Sequence, residues 1–80
     1  MNIELSDIIR ADAQYVSDSG IIVDWSCEYG TVTIGNDVFL QGDEADSLIA
    51  LASKLYRQSG NVTMMQAMMS VAKTYVECMQ

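Results

Sequence analysis

The apolar residues of this 80-residue chain change their spacing twice, and this change limits the folds that the chain can adopt. From Leu5 to Val16 they recur every three or four residues, as they do on one face of a helix. From Val23 they alternate with polar residues, as in half-buried strands, and from Ala45 the helical spacing returns. Since no proline interrupts these segments, we predict regular elements joined by short turns.

The pattern predicts six elements in the order α-β-β-β-α-α. Their predicted boundaries are residues 3–17 for the first helix, 21–28, 31–34 and 38–40 for the strands, 43–59 for the second helix, and 61 or 63 to nearly 80 for the last. The turns between the strands are so short that the strands must form an antiparallel meander. We therefore expect a single α+β domain, residues 1–80, with the two C-terminal helices packed on one face of the sheet.

Two acidic residues bear on where the helices begin. Asp43 is expected to open the second helix, with Asp46 three residues later in an arrangement similar to a capping box. Asp12 falls inside the apolar stripe of the first helix, where a carboxylate is costly unless it is hydrogen-bonded or protonated. Three interpretations of Asp12 stay open: a buried, partnered carboxylate, a residue at the edge of the stripe, or the cap of a second short helix that begins near Ala13.

The composition excludes several functional classes. Histidine is absent, which removes the commonest general base and the commonest metal ligand. Cys27 and Cys78 are too few for a disulfide framework or a zinc site, and Cys27 is expected to face the core from the first strand. The N-terminus shows no signal peptide and no uncharged run is long enough to span a bilayer, so we expect a cytoplasmic protein.

Catalytic and metal-binding motifs are also missing. The segment from Asp43 to Asp46 lacks the alternating ligands and the distal Glu of an EF-hand loop. No Ser-His or Cys-His pair can form without histidine, and no glycine-rich phosphate loop is present. We therefore expect a non-enzymatic protein that uses no cofactor and no metal.

The charge of the chain is distributed unevenly. Ten of its eleven acidic residues lie in the first 46 residues, where Arg10 is the only basic residue. Residues 1–53 therefore carry a net charge of −9, whereas residues 54–80 carry +2. An unneutralised field of this kind steers association with oppositely charged partners. A simpler explanation, that the charge only keeps a small protein soluble, stays open.

The candidate partner-binding residues fall into three acidic groups. They are Glu4, Asp7 and Asp18 on the first helix, Asp24, Glu28 and Asp37 in the sheet and its second turn, and Asp43, Glu44 and Asp46 at the start of the second helix. Asp24 and Glu28 are expected on the polar side of one strand, roughly 13 Å apart. Each group also has a structural explanation, because carboxylates stabilise helix N-termini and protect exposed sheet faces from aggregation.

The last helix carries five methionines within one apolar arc. A methionine stripe at helical spacing is typical of a core, but methionine is also common at adaptable binding surfaces. Part of the arc, including Met65 and Met69, therefore offers an alternative role as a homodimer interface.

The segment from Trp25 to Tyr56 adds a resemblance. It runs Trp-Ser-Cys-Glu-Tyr-Gly-Thr-Val-Thr-Ile, a short turn, Val-Phe-Leu-Gln-Gly-Asp-Glu-Ala-Asp-Ser-Leu, and then an amphipathic helix. This arrangement resembles small acidic phage proteins, including DNA-mimic anti-CRISPR proteins of the type I-F class. The resemblance implies a β-meander and helices that display carboxylates toward the DNA-binding surface of a CRISPR complex. The last helix differs from that class, because it carries Lys73 and a single acidic residue, Glu77.

These observations lead to one functional hypothesis and one alternative. The hypothesis is a small acidic inhibitor that binds a basic, nucleic-acid-binding protein surface through the carboxylates between Glu4 and Asp46. Such a chain is expected to bind neither nucleic acid nor membranes directly. The alternative is a structural or assembly protein that acts as a homodimer through its Met-rich helix.

Overall fold

The computed structural model describes residues 3–79 and confirms the predicted order of elements. The observed bounds are α1 Leu5–Asp18, β1 Val23–Ser26, β2 Thr31–Ile34, β3 Val38–Gln41, α2 Asp43–Ser59 and α3 Met64–Met79. The predicted end of the last helix near Gln80 falls at the limit of these residues, and Gln80 itself lies outside them.

The three strands form an antiparallel sheet in the order β1-β2-β3. Trp25 pairs with Val32, and Val32 pairs with Leu40. Because paired residues share a face and neighbours along a strand alternate, this register separates the apolar from the polar positions. The core face carries Val23, Trp25, Val32, Ile34, Val38 and Leu40, and the open face carries Asp24, Ser26, Thr31, Thr33, Phe39 and Gln41.

Helix α3 is the central element of the helical layer. It packs against α1 on one side and α2 on the other, and it also contacts β1, while α2 contacts β2 and β3. Both C-terminal helices therefore cover the core face of the sheet, as predicted. Ala67 and Met68 of α3, Ala45 and Ala52 of α2 and Val32 of β2 are the most completely buried members of the resulting core.

The first strand is shorter than predicted, and this corrects two residue placements. Strand β1 ends at Ser26, so Cys27 and Glu28 lie in the turn of residues 27–30 rather than in the strand. In this turn the Ser26 hydroxyl accepts a hydrogen bond from the Tyr29 N–H at 3.2 Å. Cys27 is exposed and does not face the core, and Glu28 does not share a strand face with Asp24. The turn ends the alternation before it reaches either residue.

The predicted start of the second helix at Asp43 is confirmed, whereas its predicted capping arrangement is corrected. Asp43 is the first residue of α2, and its N-cap is Gly42, with no side-chain cap bond. Gly42 has φ 66° and ψ −140°, a backbone conformation that only glycine adopts readily. At the other end Gly60 closes α2 in the left-handed conformation, as predicted. The reciprocal hydrogen bonds of a capping box occur instead between Thr63 and Gln66 at the start of α3.

The structure resolves the three interpretations of Asp12. Helix α1 continues without a break through Ala13, so Asp12 caps no second helix. Its carboxylate is only partly exposed and accepts a hydrogen bond from the Ser70 hydroxyl at 2.7 Å. Lys73 Nζ lies 3.6 Å from the same carboxylate, pairs with Glu77, and sits 5.4 Å from the centre of the Tyr15 ring. Through its contacts with Ser70 and Lys73 of α3, Asp12 therefore links α1 to α3.

Removing the Asp12 carboxylate is expected to weaken this contact. Asp12→Ala leaves the buried Ser70 hydroxyl without an acceptor and should lower the free energy of unfolding by about 1 kcal/mol, measured by urea titration. Glu77→Ala is the matched control, because Glu77 is an exposed partner of the same lysine; it should have almost no effect. An equal loss in the two variants would contradict the assigned role of Asp12.

The Lys73 contact also has a defined pH dependence. The hydrogen bond with Glu77, which outweighs partial desolvation, raises the pKa of Lys73, and the charge of Asp12 adds to this effect. Because the pKa of Lys73 is higher in the folded than in the unfolded state, the stabilisation that protonated Lys73 gives the fold is complete at neutral pH. It is lost as the pH rises above the ordinary lysine pKa of about 10.4 and through the folded-state value.

Candidate protein-binding surface

All nine carboxylates that the sequence analysis assigned to partner binding are exposed. Among residues 3–79, Asp7 is the only one of the nine that pairs with a cation: Arg10 lies 2.7 Å away. The same guanidinium donates to the backbone carbonyl of Asn61 at 2.9 Å, which ties α1 to the loop before α3. The other eight carboxylates therefore face solvent without a Lys or Arg partner in the described part of the chain.

Four of these carboxylates lie at one end of the sheet, and we call this group the acidic end: Glu28, Asp43, Glu44 and Asp46. The turn that contains Glu28 leads into Thr31, which pairs with Gln41 immediately before α2. A Cβ atom built on Gly30 would lie 3.3 Å from Oδ1 of Asp46, so the turn and the first turn of α2 are in contact. The meander therefore brings Glu28 of the sheet group to the three carboxylates at the start of α2, which are 15 or more residues away in the sequence.

Helix α3 contacts the acidic end through Tyr75. The Tyr75 hydroxyl donates a hydrogen bond to the Glu44 carboxylate at 3.1 Å. Partial burial, together with this bond and the charge of Glu44, raises the pKa of Tyr75, so the phenol stays protonated as a donor at neutral pH. Glu44 is thus both exposed and oriented, whereas a free surface glutamate would sample several rotamers.

The remaining candidate carboxylates lie elsewhere on the molecule. Asp37 is in the turn at the opposite end of the sheet, where the Gly35 N–H donates to the Ile22 carbonyl at 2.7 Å. Ile22 belongs to the segment that connects α1 to β1. This bond therefore places that segment, and with it Asp18 at the C-terminus of α1, near the same end of the sheet as Asp37. Glu4 precedes the first turn of α1, about 20 Å from Asp18 for a helix of this length. The nine residues therefore do not form one continuous surface.

The open face of the sheet presents a different chemistry. Asp24 is its one charged residue, and the strand register places Asp24, Thr33 and Phe39 in one row across the three strands. The Phe39 side chain is 61% exposed on this face, and Tyr29, in the turn beside the acidic end, is exposed as well. Neither aromatic residue is distinguished by the sequence pattern. Strand β3 begins with three consecutive apolar residues, Val38, Phe39 and Leu40. Which of them points toward solvent can be decided only from the register of β3 with β2.

The cations do not offset the acidic end. Lys73 is engaged with Asp12 and Glu77 between α1 and α3, and Arg10 with Asp7. Lys54 and Arg57 are exposed in the C-terminal half of α2, with α2 spanning about 25 Å from its acidic start to its end. The side-chain charges of α2 are therefore negative at its N-terminus and positive near its C-terminus. They are opposite in sign to the two ends of the helix macrodipole and so stabilise the helix.

The methionines of α3 divide between the core and the surface. Met68 is fully buried, and Met64 and Met69 pack against the core at its edge. Met65 is 44% exposed and Met79 is also exposed. The core interpretation therefore holds for the centre of the arc, while Met65, one of the two predicted dimer-interface residues, lies largely at the surface.

A cleft of about 180 Å³ lies between the end of α1, the sheet and α3. Val16, Ile34 and Val76 give it an apolar lining, and Lys73 and Glu77 are its charged residues. Because these two side chains pair with each other, neither is left to hold a charged ligand.

Two further observations concern metal and membrane binding. No group of three Cys, Asp or Glu side chains within residues 3–79 is arranged to hold a metal ion. Over the same residues, no helix has both the length and the apolar composition needed to cross a membrane.

Comparison of the chain with family models, curated proteins and solved structures found no match.

Proposed function

We propose that this protein is a small, non-enzymatic inhibitor that binds a basic protein surface, with the acidic end as the centre of contact. The observation that carries the proposal is the set of eight exposed candidate carboxylates without a cationic partner in the described residues. Half of them, Glu28, Asp43, Glu44 and Asp46, share one end of the sheet. Surfaces of ordinary proteins mix charges of both signs, so solubility alone does not account for this separation.

A nucleic-acid-binding surface is the partner class that best fits this chemistry. Such surfaces present rows of Lys and Arg that bind phosphates spaced at several ångströms. Exposed carboxylates at the end of the sheet and at the start of α2 supply charge of the same sign as those phosphates. The resemblance of residues 25–56 to DNA-mimic anti-CRISPR proteins of phages supports the same partner class.

Partner capture with competition by DNA tests the proposal. The immobilised protein is incubated with bacterial lysate, washed at increasing salt, and then challenged with duplex DNA. We expect the retained proteins to be basic, to dissociate between about 0.1 and 0.5 M salt, and to be released by DNA. Retained proteins that resist both salt and DNA would contradict the proposal. So would direct binding of DNA by the chain itself.

A homodimer through α3 remains the alternative function, and exposed Met65 is the observation in its favour. Sedimentation over a range of concentrations separates the two functions. Without its partner the proposed inhibitor stays monomeric up to high concentration, because each copy carries a net charge of −7. A homodimer would instead form as the concentration rises.

A further inference from the structure

The two edges of the sheet differ in how they are protected. Strands β1 and β3 are both edge strands, since within residues 3–79 each pairs only with β2. Edge strands expose unpaired N–H and C=O groups, and charged residues on the edge discourage pairing with other chains. On β1, the Asp24 carboxylate accepts a hydrogen bond from the Trp25 N–H at 3.0 Å, so a charged side chain occupies a backbone donor of that edge.

Strand β3 has no comparable protection. Its sequence, Val38-Phe-Leu-Gln41, contains no charged residue and no proline. Within the described residues, no side chain forms a hydrogen bond to the backbone of β3. Phe39 adds an exposed aromatic ring on the open face. The edge of β3 is therefore chemically able to accept another strand.

Carboxylates flank this edge at both ends. Asp37 comes immediately before β3, and Asp43 and Glu44 follow it after Gly42. All three are exposed and none has a Lys or Arg partner among residues 3–79. The Cα atoms of Asp37 and Asp43 are separated by six residues, or at most about 20 Å of extended chain. An added strand with two cationic residues about six positions apart could therefore place one cation beside Asp37 and the other beside Asp43.

The same charges disfavour a second copy of the chain as the occupant. Antiparallel pairing of β3 with its counterpart would place Asp37 of each copy next to the Gly42–Glu44 segment of the other. Like charges opposite each other destabilise a strand pair, and each copy already carries a net charge of −7. A segment of a basic protein, with cations at both ends and a neutral β-forming centre, has the complementary pattern.

We propose that β3 accepts an extended, cation-flanked segment of the partner as a fourth strand of the sheet, an inference that rests on the proposed binding of a basic protein. Backbone hydrogen bonds supply the pairing, as in other cases of strand addition. Asp37 at one end and Asp43 at the other set the position of the added strand, whereas the Glu44 carboxylate is held by Tyr75 of α3. Side chains on the open side of that strand lie beside Phe39.

Synthetic peptides test this inference on the intact protein. The probe is the peptide KRTVTVTKR, and the matched control is KRTPTPTKR. The control has the same charge, but its two prolines have no backbone N–H and disfavour strand pairing. We expect the first peptide to shift the backbone amide NMR signals of residues 38–41 and to bind at least tenfold more tightly than the second. Equal affinity of the two peptides would overturn strand addition but leave charge-driven binding intact.

Variants of the protein give a second measurement. Asp37→Asn with Asp43→Asn should weaken binding of KRTVTVTKR by roughly tenfold, because two ion pairs are lost. Glu4→Gln with Asp18→Asn removes the same charge at the ends of α1 and should change the affinity little. Equal losses in both double variants, signal changes away from β3, or β3-mediated self-association at high concentration would overturn the inference. Failure of both peptides to bind would also overturn it, whereas the proposed function is judged separately by partner capture and DNA release.

Discussion

Replacing Met68 with alanine is expected to lower the free energy of unfolding by about 2–5 kcal/mol. Met68 is fully buried in the centre of α3, where it contributes to the core shared by the helices and the sheet. The shorter side chain forfeits its transfer free energy and leaves a cavity that neighbouring residues fill only in part. A domain of this size has a total stability of roughly 4–12 kcal/mol, so the loss is a large fraction of it.

Met65 provides the control within the same helix. Because Met65 is 44% exposed, Met65→Ala removes little buried surface and should change the unfolding free energy by less than about 0.5 kcal/mol. Urea denaturation followed by circular dichroism measures both variants. A loss of similar size in the two would mean that Met65 is buried in solution. If that loss depended on protein concentration, it would indicate the homodimer instead of the monomeric inhibitor.

Reversing two carboxylates of the acidic end is expected to slow association with the captured partner by about 10- to 100-fold at low salt. The variant is Glu28→Lys with Asp43→Lys, which changes one residue in the β1–β2 turn and one at the start of α2. Oppositely charged surfaces accelerate encounter through their long-range field, so the change should appear mainly in the association rate. Rates measured by surface plasmon resonance over a range of salt concentrations report it directly.

The matched control is Glu4→Lys with Asp18→Lys. Both double variants have a net charge of −3 instead of −7, since each replaces two carboxylates with two ammonium groups. Glu4 and Asp43 both lie beside a helix N-terminus, so each double variant loses one favourable charge–dipole contact, while Asp18→Lys also places a cation at the C-terminal end of α1. At 0.15 M salt the Debye length is about 8 Å, so charges remote from the contact should matter little. Equal slowing by the two variants at this salt would show that net charge, and not the acidic end, drives association.

The elements of the fold follow from local patterns, because helical and strand-like spacings are properties of short segments. Strand β2 has its predicted bounds, residues 31–34, and Gly60 ends α2 as expected. The errors occur where backbone geometry overrides residue preference. Gly42, not Asp43, caps α2, since only glycine fits the turn between β3 and that helix. Cys27 and Glu28 continue the alternating pattern but lie in a turn stabilised by Ser26.

The chain alone determines the order of its elements, the excess of acidic residues within the first 46 positions and the absence of histidine, because these depend on residue identity and spacing. Only the tertiary structure decides which distant residues meet. Antiparallel pairing brings the turn around Glu28 to the start of α2, while Asp18 and Asp37 go to the other end of the sheet. Strand register decides that Phe39 faces outward and that β3 is an unprotected edge. Side-chain proximity arises from pairing and packing between segments far apart in sequence, and no local pattern encodes it.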